Sequence, residues 1–300
     1  MQHKERLTKC PLCKSGLFLN LTDITDHSIS KEKFRLCQCS NCELIFTNPR
    51  PDQNHIQSYY ESNDYISHQD KTNNLTGLIY KSVRLYTIRQ KVKWLNKYSE
   101  QKGNLLDIGC GTGYFLNAAK NNGWTVTGIE PNKTARKIAK NKGLKVYPDI
   151  DKLNSDQLYT CISMFHVLEH VHQLRKTIKK LIHLLDENGC LIIAVPNHNS
   201  SDALLYGEYW AGWDVPRHLY HFNQNSIDYL AKEFNLRIEK ILPMKFDSYY
   251  VSLLSEKYVR PQQSFLSQLI KGFKNGLQSN KWAKENNNNY SSLLFILKKS

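Results

Sequence analysis

The stretch Leu105-Leu106-Asp107-Ile108-Gly109-Cys110-Gly111-Thr112-Gly113 decides the fold. A short apolar run of buried-strand character leads into glycines at every second position, and a helical pattern begins at Tyr114. A strand, a glycine turn and a helix in that order form a nucleotide-binding turn. Glycine lets the backbone turn sharply and approach a ligand closely. The helix N-terminus then offers free N–H groups to a carboxylate or phosphate. The spacing is G-x-G-x-G, not the G-x-G-x-x-G of dinucleotide folds. Asp107 lies inside the strand before the turn. A second acid, Glu130, ends the next strand 17 residues beyond Gly113, where a carboxylate can accept both hydroxyls of a ribose.

Outward from the turn, strands and helices alternate. Residues 124–129, 146–147, 159–164 and 191–195 read as further strands. Residues 114–122, 133–142 and 172–185 read as helices, with Asn188-Gly189 as the C-terminal cap of the last. This alternation predicts a parallel sheet with helices on both faces. Upstream, Leu75 to Tyr98 reads as one long helix with apolar positions at Leu75, Leu78, Ile79, Val83, Tyr86, Val92 and Leu95. Downstream, residues 197–225 lack periodicity and are rich in aromatics and histidines. A helix is predicted over 226–234, strands over 236–242 and 293–297, a helical stretch over about 262–285, and a loop at the asparagine run 286–289.

The segment Leu-Asp-Ile-Gly-Cys-Gly-Thr-Gly, followed by Gly128-Ile129-Glu130-Pro131, resembles class I S-adenosylmethionine-dependent methyltransferases. The resemblance covers roughly residues 100–240 and the last strand. It implies an α/β, doubly wound, mostly parallel seven-stranded Rossmann-like sheet whose last strand is antiparallel. It implies S-adenosyl-L-methionine as cofactor, with Asp107 organising the loop at the methionine end. Gly109, Cys110, Gly111 and Gly113 give the cofactor room, and Glu130 and the adjoining Pro131 meet the ribose. Asp149 and Ile150 would sit at the adenine. Phe165 and His166 end the fourth strand, where ligands bind in such sheets. Relatives usually carry aspartate where this chain has Thr160.

His166-Val-Leu-Glu169-His170 matches the H-x-x-E-H pattern of zinc proteases, but that pattern needs a continuous helix. Here the segment leaves a strand, so the protease reading is rejected. Some ubiquinone-pathway O-methyltransferases bind a divalent metal through a similar Glu-x-x-Glu-His segment. This chain has His166 in place of the first glutamate. Trp210 to Phe222 includes Pro216-Arg217-His218 and resembles a Pro-Arg-His-x-x-x-Phe signature of a bacterial subgroup. That region caps the acceptor pocket in the family. His218 or His221 is a candidate general base near neutral pH, with His166 behind them. Arg217 either clamps an anionic acceptor or ties the insertion to the core.

Five of the eight cysteines cluster near the N-terminus. Cys10-x2-Cys13 and Cys39-x2-Cys42, separated by 25 residues, have zinc-ribbon spacing. A four-cysteine site has no open position, so its Zn2+ is structural, and Cys37 is a spare. In so short a segment the metal would supply most of the folding energy. Sugar C-methyltransferases acting on nucleotide-linked sugars share such a module at the level of architecture. The expected organisation is a zinc-ribbon module at 1–50, a helical connector or lid at 51–100 containing Tyr59, Tyr60 and Tyr65, and a methyltransferase domain at 101–300. An acceptor cap lies at about 197–225.

The formal net charge is +14, which attracts anions. No secretory leader and no apolar segment long enough to span a bilayer is visible, so a cytoplasmic location and no membrane partner are expected. The leading function is methyl transfer to a small or carrier-linked anionic acceptor, such as a sugar or a quinone or phenol precursor. A nucleic-acid methyltransferase is the alternative, favoured by the charge and the zinc ribbon. It is disfavoured because Phe165-His166-Val167-Leu168 replaces the Asn/Asp-Pro-Pro-aromatic segment of adenine-modifying enzymes. A cofactor-binding protein that kept the fold without the activity is the third reading.

Overall fold

The computed structural model describes residues 4–60, 75–153 and 156–300, the side chains of 75–81 apart. Tyr65 and the predicted contacts of Leu75, Leu78 and Ile79 lie outside the described residues. The chain begins with β1 (Lys4–Glu5), β2 (Phe18–Thr25), β3 (Lys33–Cys39), β4 (Ile45–Thr47) and β5 (Arg50–Pro51), then the predicted long helix α1 (Leu75–Tyr98). The alternating region follows as β6 (Asn104–Ile108), α2 (Tyr114–Asn121), β7 (Thr125–Ile129), α3 (Lys133–Asn141), β8 (Lys145–Tyr147), β9 (Tyr159–Phe165), α4 (Leu174–Leu184) and β10 (Leu185–Pro196). After it come α5 (Ser201–Tyr206), β11 (Tyr220–His221), α6 (Gln224–Glu233), β12 (Leu236–Pro243), α7 (Lys245–Val259), α8 (Phe265–Glu285) and β13 (Ser292–Lys299).

The main sheet has seven strands in the order β12-β13-β10-β9-β6-β7-β8. β6, β7, β8, β9 and β10 pair in parallel, and β13 runs antiparallel between β10 and β12. The strand order reverses at β6, where β7 lies on one side and β9 on the other. The crevice above the carboxyl ends of β6 and β9 is therefore the place where such a sheet takes a ligand.

The sheet's two faces bury different sets of side chains, because successive strand residues point to opposite faces. Leu106 packs with Leu181, Leu191 and the cysteine module's Leu12, Leu44 and Phe46. Leu105 packs with Val92, Leu95, Leu116 and Trp124 on the other face. Helix starts follow local capping: Asn132 accepts the Ala135 N–H ahead of α3, and Asn223 with Ser226 forms a capping box on α6.

One expectation fails, and one helix carries no signal in the sequence. Asn188-Gly189 does not cap α4. The backbone turns extended at Leu185, which already pairs with Tyr159, so residues 185–189 belong to an irregular start of β10. α7 was not foreseen, because its buried positions are Ser248, Ser252, Ser255 and Glu256, which leave no apolar stripe to read.

The N-terminal cysteine segment does not close its own sheet. The second sheet has the order β11-β4-β3-β2, so its outer strand comes from residues 220–221.

Candidate active site and cysteine centre

The glycine turn has the conformations that its spacing requires. Gly109, Gly111 and Gly113 have φ of 70°, 54° and 78°. The N–H groups of Gly109 and Cys110 both donate to the Ile129 carbonyl, at 2.8 and 3.0 Å, which folds the turn over β7. A methyl group on Gly109 would lie 2.4 Å from a Val167 methyl, whereas one on Gly111 would meet nothing within 4 Å. Among the described residues, open space therefore lies above Gly111.

Two carboxylates flank that space. Asp107, at the end of β6, is buried and accepts the Ser163 hydroxyl of β9 at 2.7 Å. Burial pushes its pKa up to about 7, against the pull of the Ser163 bond and the Lys91 charge. Glu130 accepts the N–H groups of Gly111 and Asn132, both at 2.8 Å. Burial still raises its pKa despite those two bonds. Pro131 follows, its carbonyl accepting Arg136 Nη1 at 2.9 Å. Asp149 is exposed and caps a short helical turn by accepting the Asp151 N–H at 2.8 Å. Ile150 in that turn is half-buried.

Phe165 ends β9 edge-on to Phe115, with ring centroids 5.2 Å apart. The Lys91 ammonium from α1 sits 3.8 Å from the Phe165 ring centroid. Burial lowers its pKa, opposed by the charges of Asp107 and Asp247. The sequence reading missed both Lys91 and Asp247. They line a cavity of about 250 Å³ between α1 and the start of α7, together with Tyr86, Trp94, Met244 and Phe246.

Next in the chain, His166 has φ 56°, a left-handed backbone that costs a non-glycine residue energy and marks functional sites. Its Nε2 lies 2.9 Å from Asp247 Oδ2 and its Nδ1 3.5 Å from Glu169 Oε1. Burial alone would lower its pKa, but Asp247 and Glu169 raise it to about 10. His166 therefore already holds a proton at neutral pH and is a poor base.

Glu169 is fully buried, and among the described residues its carboxylate makes no contact tighter than the 3.5 Å ion pair with His166. Its pKa is lowered all the same, because His166, His170 and His218 outweigh burial. His218 Nε2 lies 4.0 Å from Glu169 Oε1, while His218 Nδ1 donates to the Gly212 carbonyl at 2.9 Å. His170 donates from Nδ1 to the Arg217 carbonyl at 2.9 Å, and burial followed by the His218 charge lowers its pKa to about 4. Glu169, His170 and His218 bring one donor atom each within 4.8 Å of one another.

His221 stands apart in β11. It is buried, packed edge-on to Trp213 at 5.1 Å, and driven well below the usual histidine range by burial. Arg217 forms a two-bond fork with Asp214, donates to the Tyr59 carbonyl at 3.0 Å and lies 3.6 Å from Asp26. These bonds tie the cap to the core.

Cys10, Cys13, Cys39 and Cys42 place all four sulfurs within 4.8 Å of one another. Cys10 and Cys42 are 3.5 Å apart, and Cys13 and Cys39 3.4 Å. Each knuckle closes on a left-handed residue, Lys14 at φ 66° and Glu43 at φ 59°. Cys37 is not in the group; its thiol donates to Asn20 at 3.4 Å.

A family model described as a methyltransferase domain matches residues 80–241. The chain belongs to this methyltransferase family. The match and the seven-stranded sheet make it an S-adenosylmethionine-dependent methyltransferase. The methyltransferase is 29% identical over 181 residues to a ubiquinone biosynthesis O-methyltransferase of Rickettsia prowazekii (strain Madrid E), covering 55% of this chain and 70% of that protein. A namesake from Rickettsia typhi (strain ATCC VR-144 / Wilmington) is 28% identical over 180 residues, with 55% and 72% covered. Among solved structures, the magnesium protoporphyrin IX methyltransferase of Synechocystis PCC 6803 with bound SAH superposes with a TM-score of 0.54 at 15% identity. The superposition covers 83% of this chain and 100% of that one. This last likeness concerns the fold.

Proposed function

We propose that this methyltransferase carries the methyl group of S-adenosylmethionine to an oxygen of a small aromatic acceptor, such as a phenol or quinone precursor. The cavity beside the end of β9 carries this reading. Tyr86, Trp94, Met244 and Phe246 give it an apolar wall beside the polar Thr87, Gln90, Lys245 and Asp247, with buried Lys91 as the cation that steadies a phenolate oxygen. The O-methyltransferase relatives agree with it. A sugar acceptor fits these walls less well, and a nucleic acid less well still.

We assign the cofactor to the crevice over Gly109, Cys110, Gly111 and Gly113. Asp107 faces its methionine end, Glu130 and Pro131 its ribose, Asp149 and Ile150 its adenine, and Phe165 and His166 its far side. The cofactor supplies an electrophilic methyl group, and the acceptor oxygen must be deprotonated and in line. Asp247 lines the cavity, and from it His166, Glu169 and His218 follow at 2.9, 3.5 and 4.0 Å. His218, whose Nδ1 donates to the Gly212 carbonyl, acts through Nε2 as the base that takes the acceptor proton. His166 orients Asp247, and His221 packs the cap.

A second reading rests on the buried Glu169 carboxylate, which makes no close hydrogen bond among the described residues. Glu169, His170 and His218 would hold a divalent cation, each histidine being oriented by an N–H bond to a backbone carbonyl. Such an ion lowers the pKa of an acceptor hydroxyl. Cys10, Cys13, Cys39 and Cys42 would hold structural Zn2+. Zinc–sulfur bonds of about 2.3 Å give tetrahedral sulfur–sulfur edges of about 3.8 Å, near the 3.4 and 3.5 Å found here. We read the chain as a zinc-ribbon module at 1–50, a connector at 51–100 and a catalytic domain at 101–300 capped by 197–225.

Calorimetric titration with S-adenosylhomocysteine tests the cofactor site. We expect one-site binding, lost in Asp107→Ala and Glu130→Ala; unchanged affinity would refute the assignment. A panel of phenolic acids against nucleotide sugars tests the acceptor. His218→Ala should lower kcat by roughly 10²-fold or more with the titration unchanged. Turnover of the parent raised by added Mg2+ or Mn2+ without any chelator treatment, and not raised in Glu169→Gln, would favour the second reading.

A further inference from the structure

The hairpin of α7 and α8, inserted between β12 and β13, is built inside out. Its buried seam is small and polar: Ser248, Ser252 and Ser255 of α7 against Gly272, Gly276 and Ser279 of α8. A methyl group on Gly272 would lie 2.7 Å from the Leu253 Cα, and one on Gly276 2.8 Å from the Tyr249 Cα. The backbones meet as small-xxx-small helices do. The large apolar residues of α8 point the other way. Leu266, Ile270, Phe273 and Leu277 recur at helical spacing in one stripe, exposed by 64, 61, 60 and 38%. Such a stripe calls for a partner.

α8 contains Lys271, Lys274, Lys281 and Lys284, and its one acid is its last residue, Glu285. A second copy across a twofold axis would set lysines against lysines, with no acids at the flanks to pair them. An anionic lipid surface satisfies both features at once, taking the apolar stripe into the acyl boundary and the lysines among the headgroups. From the stripe, the rings of Phe273, Tyr249, Phe246 and Tyr86 follow one another at 4.9, 6.4 and 5.1 Å to the cavity that Phe246 and Tyr86 line.

We propose that the α7–α8 hairpin docks the protein on anionic membrane surfaces, lying in the interface without spanning it. The expectation of no membrane partner rested on segment length, which excludes crossing alone. No helix among the described residues is long and apolar enough to cross a bilayer.

Flotation of the full chain with phosphatidylcholine vesicles, with and without phosphatidylglycerol, tests this. We expect binding to the mixed vesicles only, weakened by salt. Ile270→Glu with Phe273→Glu should weaken it by more than roughly tenfold. Lys274→Gln with Lys281→Gln should weaken it about 25-fold, near fivefold for each charge. If the glutamate pair fails to fold, judged by circular dichroism, the surface lysine pair decides. No flotation of the parent, or flotation undiminished by these changes, overturns the proposal. So does a dimer in sedimentation that the glutamate pair abolishes, which would give the face to a second copy.

Discussion

Asp107 is an acid held where ionisation is expensive. Its folded pKa of about 7 lies above the ordinary 3.8. The native state therefore binds this proton more tightly than the unfolded chain does. The resulting stabilisation is full below about pH 4 and is lost as the pH rises through 7. At 1.36 kcal/mol per pH unit, the effect is roughly 4 kcal/mol at most. Asp107→Asn should flatten that slope, measured by urea unfolding from acid to neutral pH; a slope parallel to the parent's would show that another group sets it. Its neighbours Gly109 and Gly111 should part company on replacement. Gly109→Ala meets Val167 at 2.4 Å and should cost stability. Gly111→Ala meets nothing among the described residues; it should cost only about 1 kcal/mol for its backbone, yet weaken S-adenosylhomocysteine binding at least tenfold by filling the open space. Melting and titration of both variants separate the two effects. These residues were legible in the sequence because a strand, a glycine turn and an acid act over a short span. Lys91 and Asp247 were not. Each is an ordinary helix residue until α1 and α7 meet beside β9.

The elements show the same contrast between local and distant information. The C-x2-C knuckles are four-residue turns, so their spacing alone announced the sulfur cluster. The partner strand β11 is two residues long and sits among aromatics, with no period to betray it. The consequence is a physical link: β4 pairs with β11, and the Thr47 hydroxyl donates to the His218 carbonyl at 2.9 Å. Loosening the cysteine segment should therefore loosen the backbone that carries His218. Removing the proposed zinc with a chelator, or Cys10→Ser with Cys39→Ser, should raise hydrogen exchange at Tyr220 and His221 and lower turnover. Exchange unchanged at those amides would mean the cap stands without the metal. α7 and α8 hid differently, since their seam is serine and glycine. Gly272→Leu drives a side chain into the Leu253 backbone and should destabilise the protein by about 1–3 kcal/mol. A melt unchanged by that substitution would show that the hairpin does not pack as described.

At the scale of the whole molecule, the sequence suggests a cysteine module at 1–50, a connector at 51–100 and a catalytic domain at 101–300. The buried side chains of the module run into the core of the main sheet. Leu12, Leu44 and Phe46 share one cluster with Leu106, Ile162 and Leu191 of the central strands. Buried Arg50 reaches Glu5, the Tyr220 hydroxyl and the His172 carbonyl. Unfolding the cysteine segment alone would expose one side of the sheet's core and strand these charges and carbonyls without partners. That cost exceeds what a flexible joint between domains carries. Scanning calorimetry of the metal-replete protein should therefore give a single transition. S-adenosylhomocysteine at a hundred times its Kd should raise stability by about 2.7 kcal/mol. Metal removal should lower the same transition without splitting it. A separate low-temperature peak, moved by chelator and untouched by S-adenosylhomocysteine, would mean that the segment folds on its own and that the shared core is a contact surface between two units.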